Sequence, residues 1–205
     1  MSGCGCGMEA RSKEERRTLL VLLAINAAMF AVEAGAGLLA RSAALLADSL
    51  DMFADAAVYG VSLWAVGRAA AAKVSAARLS GVLQVLLALF VLAETLRRAV
   101  LGAEPRSTLI VVVGLVALAA NTVCLTLLFR HRDGEVHMRA SYIFSANDVV
   151  ANLAVVLAGL LVRFTGSPLP DLVTGLGIAA LVLAGGLRIL REARLAEAAP
   201  ACSGA

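Results

Sequence analysis

The chain has 205 residues, 60% of them hydrophobic and 16% charged, with a formal net charge of +3 and a mean hydropathy of +0.88. Soluble domains carry about 45–50% apolar residues, so this composition excludes an ordinary soluble fold. The apolar runs recur as segments of about 20–25 residues, the length that crosses a bilayer core.

The first 16 residues, MSGCGCGMEARSKEER, form a polar tail with no cleavable signal, because the apolar run that follows is too long for one. The first predicted span runs from about Arg17 to Ala40 and carries Asn26 and Glu33, seven apart and so on one helical face. Arg41 and Ser42 make a very short turn into a second span, AALLADSLDMFADAA and onward to about Gly67. A third covers about Val74 to Val100 and is stopped by Gly102 and Pro105. The fourth is Ser107 to Phe129, with Asn121 and Cys124 inside it, and the charged loop RHRDGEVHMR follows, turning at Gly134. The fifth is about Ala140 to Val162 and the sixth about Asp171 to Leu190. The expected architecture is therefore all-α: a polytopic membrane protein whose six-helix domain spans 17–193 between an N-tail (1–16) and a C-tail (194–205).

Thirteen of the 18 Lys and Arg residues fall in the two tails and the loops after spans two and four, and five fall on the other side. The positive-inside rule then predicts that both termini are cytoplasmic. The basic residues are spent on topology, so no nucleic-acid partner is expected. Four cysteines in reducing tails and a span make no disulfide framework.

The second span holds the strongest chemical signal. Asp48, Asp51 and Asp55 share one face, continued by Tyr59 and Ser62, while the opposite face is Leu, Ala, Val and Phe. A carboxylate at mid-membrane costs about 2.5–3.5 kcal/mol on insertion scales, so several together need a cation, a proton or a partner. Span five supplies a matching stripe of Ser141, Ser145, Asp148 and Asn152. At 1.5 Å per residue Asp55 and Asp148 both come near the middle of the roughly 30 Å core. Asp51 and Asp55, four apart, are neighbours that suit one shared divalent ion. The buried asparagines are expected to bond helix to helix, Glu33 either packs or gates, and Asp48, nearer the outer end, anchors the helix or caps its first turn.

These residues carry a resemblance. With Asn26 and Glu33 in span one, ALLADSLDMFAD in span two, RASYIFSAND leading span five and SPLPD before span six, the chain resembles the cation diffusion facilitator family of divalent-metal/proton antiporters. The resemblance implies a four-ligand transport site in which Asp51, Asp55 and Asp148 are metal ligands, and the fourth position, usually histidine, is Phe144. Ser145, Asn147, Asn152 or water then supplies the remaining donor, with Asn26, Glu33 and Asp48 as additional site or gating residues. An oxygen-only site suits harder ions than imidazole does, so zinc, cadmium, cobalt, nickel, iron and manganese all remain open as substrates. The resemblance further implies partners that are divalent cations, protons and lipid, and a bacterial inner-membrane location. It also implies a short form without the family's cytoplasmic C-terminal domain, which leaves a homodimer through the membrane helices open. No prosthetic group and no enzymatic activity are expected, since no nucleophile–base pair, phosphate loop or metalloprotease motif is present.

Cys4 and Cys6 form a C-x-C pair that either captures soft metal ions as an accessory site or belongs to an unstructured tail. His131 and His137 read as ordinary loop residues and Cys124 as core. A second functional reading, a metal sensor or accessory subunit that binds without transporting, stays beside the transporter reading.

Overall fold

The computed structural model describes residues 4–65, 70–102, 104–129 and 136–198. They form six helices: α1 (Cys4–Ala40), α2 (Ala43–Ala65), α3 (Ala70–Leu101), α4 (Ser107–Phe129), α5 (Val136–Thr165) and α6 (Leu169–Ala198), with no strand among the described residues. The all-α expectation holds. Five of the six are long and apolar enough to cross a membrane. The exception is α2, because every 18-residue stretch of it contains Asp48, Asp51 and Asp55. The helix that spends most to enter the bilayer is the one carrying the carboxylates.

The helices overrun the apolar runs that announce them. Residues 4–16, where a tail was expected, continue α1 as helix, since Met, Glu, Ala, Arg and Lys favour helix once an apolar segment has nucleated it. In the same way α6 extends to Ala198, past the predicted end near Leu190. The side chains of Cys4, Cys6, Ser62, His137, Ser141 and Phe144, and the whole of His131, Gly134 and Cys202, lie outside the described residues.

The first turns of α2 form the centre of the bundle. Residues 42–50 are all buried, and Leu45, Leu46 and Leu50 pack in one cluster with Ala88 and Val91 of α3, Ile110 of α4, Val155 of α5 and Ile178 and Val182 of α6. Around this hub α1 lies along α2, α3 pairs with α6, and α4 pairs with α5. Large apolar side chains such as Leu39, Phe90, Val112, Leu157 and Leu181 point outward. An apolar exterior is what lipid requires.

The α1–α2 connection turns within two residues. Arg41 takes a left-handed φ of 53°, and Ser42 Oγ accepts from Leu45 N at 3.0 Å, capping α2. Asp171, in the first turn of α6, reaches across to the same helix start. It accepts from Ala43 N at 2.7 Å and Ala44 N at 3.3 Å, and from the Ser42 hydroxyl. A carboxylate there meets both unsatisfied amides and the positive end of the α2 dipole. This bond fixes the height and rotation of α2 against α6.

Candidate functional site

Three aspartates from two helices meet inside the bundle. Asp51 and Asp55 project one turn apart from α2 and are partly exposed, whereas Asp148 of α5 is buried. Asp148 comes within hydrogen-bonding reach of both Asp51 and Asp55. The Tyr59 hydroxyl points at Asp55 Oδ2 from one turn further along, at 3.5 Å. No group of three or more His, Cys, Asp or Glu among the described residues is closed into metal-ligand geometry. The carboxylates are brought together, then, but their side chains must rotate to wrap one ion. Adjacent carboxylates repel in a low dielectric, so the cluster calls for a cation or protons.

The remaining candidates divide by placement. Ser145 is buried on the same α5 face, and its hydroxyl has no partner, which leaves it free as a donor. Asn147 is exposed and faces away from the bundle, since its neighbour Asp148 takes the inward position. Asn26 of α1 donates to Leu22 O at 2.9 Å and contacts Cys124 Sγ of α4 at 3.9 Å, the helix-to-helix role expected of it. Cys124 itself packs with Leu19, Leu22, Tyr59 and Leu128, yet lies close enough to Asp55 and Asp148 to feel both charges. Its core assignment stands, and it also borders the site.

Glu33 and Asp48 form a second acidic pair. The cap of α2 is made by Ser42 and Asp171, so Asp48 caps nothing. It lies two turns into the helix, fully buried, within hydrogen-bonding reach of Glu33. Asn152 Nδ2 donates to the Asp148 carbonyl at 2.9 Å and approaches Asp48 Oδ1 at 3.5 Å, linking this second acidic pair to the first cluster.

Sequence reasoning missed the role of Asp171. An acidic residue in a first helical turn ordinarily caps its own helix, and nothing local signals that its amide partners lie 127 and 128 residues earlier.

A model described as the cation efflux transmembrane domain matches residues 19–196. A cadmium, cobalt and zinc/H(+)-K(+) antiporter of Bacillus velezensis is 24% identical over 192 residues, covering 86% of this chain and 61% of its own length. The zinc transporter ZitB of Yersinia pseudotuberculosis is 26% identical over 204 residues, covering 90% and 64%. The metal cation efflux system protein CzcD of Cupriavidus metallidurans is 24% identical over 162 residues, covering 73% and 51%. The chain thus spans less than two thirds of the length of these relatives.

Proposed function

The chain belongs to the cation efflux family, the cation diffusion facilitators, and on that footing we propose that it exports divalent metal cations in exchange for protons, with Asp51, Asp55 and Asp148 as transport ligands. The observation that carries this reading is the approach of Asp148 to both α2 aspartates in the interior of an otherwise apolar bundle. The family is one of transporters rather than enzymes, and the chain is a multi-pass protein of the bacterial inner membrane.

The exchange follows from the donor set. Carboxylates bind a cation only when deprotonated, so loading the site from the cytoplasm releases protons, and protons arriving from outside displace the cation. With both termini cytoplasmic, the α1–α2 turn faces outward, and rocking of helix pairs around the hub at residues 42–50 alternates the access. Ser145, buried on the Asp148 face of α5 with an unpartnered hydroxyl, supplies a protein oxygen to complete the shell. Relatives are named for zinc, cadmium and cobalt, and this chain is proposed to draw its cargo from the same class of divalent ions.

The test is metal flux in proteoliposomes under an imposed pH gradient. Zinc or cadmium uptake driven by the gradient and abolished by a protonophore is expected. Metal binding without flux overturns transport in favour of a sensor, and flux indifferent to the gradient overturns proton exchange. Substitution at the fourth ligand position gives a further prediction. Phe144→His adds the imidazole that favours zinc, and is expected to raise zinc uptake relative to manganese in competition assays; an unchanged ratio removes residue 144 from the site.

A further inference from the structure

Glu33 of α1, Asp48 of α2 and Asn152 of α5 are each 0% exposed. Both Glu33 carboxyl oxygens, Asp48 Oδ2 and Asn152 Oδ1 lack any donor. The carboxyl groups of Glu33 and Asp48 face each other, and the Asn152 carboxamide approaches Asp48 from the third helix. No lysine or arginine among the described residues pairs with either acid. Three carboxyl oxygens and one amide oxygen, contributed by three helices, have nothing to accept from. A buried polar group without a partner keeps its full desolvation penalty, larger still when charged, so a quartet of them on three helices marks a place that something else fills.

The donor set says what. Two carboxylates and an amide oxygen, without imidazole or thiolate, suit a hard divalent cation. The place is separate from the Asp51–Asp55–Asp148 cluster: Asp48 lies three residues, about 4.5 Å of helical rise, nearer the α1–α2 turn than Asp51, and about 10.5 Å nearer than Asp55. Asn152 touches both groups, donating to the Asp148 backbone while its side chain reaches Asp48.

We propose that Glu33, Asp48 and Asn152 form a second cation station, through which a divalent metal passes between the Asp51–Asp55–Asp148 cluster and the α1–α2 end of the bundle. This rests on the reading of the three aspartates as the transport site. The upper station is sealed in this conformation, while Asp51 and Asp55 are partly open. Asn152, bonded to the Asp148 backbone and reaching Asp48, bridges the two stations.

Counting bound ions tests it. The full chain carrying Cys4→Ser and Cys6→Ser is equilibrated with manganese(II) and, separately, zinc, and bound metal per chain is measured after dialysis. Two ions per chain are expected. Glu33→Gln with Asp48→Asn keeps the shape of both side chains and is expected to leave one ion; each single substitution is expected to weaken that second ion more than tenfold, so the result does not hang on one variant. Asp55→Ala is expected to remove the other ion and spare this one. Fewer than two ions in the unaltered site set, or an unchanged count after Glu33→Gln with Asp48→Asn, overturns the proposal and leaves the pair holding only a proton. Two ions retained in Asp55→Ala strikes the transport-site reading instead, so the two failures are told apart.

Discussion

Asp55→Ala and Asp148→Ala are each expected to reduce metal uptake into inverted membrane vesicles to the level of empty vesicles. The expectation rests on how few donors the site has. Asp148 is the one α5 carboxylate reaching α2, and Asp55 is one of its two partners there; removing either leaves two carboxylates where a divalent ion needs several oxygen ligands. Losing even an outer-shell contact typically lowers metal affinity by about 10–100-fold, so losing a direct ligand exceeds that. Misfolding does not explain such a loss. Deleting a carboxylate relieves about 2.5–3.5 kcal/mol of insertion cost, and the contact forfeited by Asp55 is a long one, 3.5 Å from the Tyr59 hydroxyl. The variants should therefore reach the membrane at wild-type levels by immunoblot while transport disappears. Asn147→Ala, at an exposed position of the same helix as Asp148, is expected to transport normally. Full transport in both aspartate variants would end the assignment of these residues as ligands.

What could be read from residues alone was periodic and local. Six apolar runs named six helices, and Ser107 to Phe129 matches α4 at both ends because Pro105, Gly102 and a charged loop punctuate it. Offsets of three and four placed Asp51, Asp55 and Asp148 on facing stripes, and α2 and α5 do bring them together. The helices' ends were less legible, since α1 and α6 carry on through polar sequence that helix propensity alone sustains. Of the two roles expected for Asp48, anchor or cap, the cap fails for a related reason. Its position near the start of α2 suggested a cap, but capping depended on Ser42 and on a carboxylate arriving from α6. Partners supplied by a distant helix leave no mark on spacing. The pairing of Glu33 with Asp48 was hidden in the same way: each sits on its own helix face at a plausible offset, and only the close packing of α1 along α2 makes them neighbours.

The second large effect is expected at Gly175, on a helix that carries none of the proposed ligands. Gly175→Val should prevent accumulation of folded protein, and Gly175→Ala should lower the melting temperature of the detergent-solubilised chain by several degrees. A Cβ built at Gly175 lies 2.5 Å from the Ala43 carbonyl carbon, 2.7 Å from its oxygen and 2.8 Å from its Cβ. Two of these three contacts are backbone atoms of the first turn of α2, which no side-chain rotation can move aside. Overpacking typically costs about 1–3 kcal/mol, and here the strain falls on one particular bond set. Asp171 is one turn before Gly175 on α6, so pushing α6 outward withdraws the carboxylate from Ser42, Ala43 and Ala44. Asp171→Ala removes the same bonds without the clash and is expected to cost about 1–3 kcal/mol. Gly177→Ala is the matched control, because a Cβ there meets nothing within 4 Å, and its melting temperature should not fall. If Gly175→Ala melts like wild type, α2 is not held by this contact. Its carboxylates would then owe their depth and rotation to α1 and α3, the other helices packed along α2. The argument for Gly175 is thus also one about transport: a small residue on α6 lets a carboxylate on α6 set the helix whose own carboxylates face Asp148.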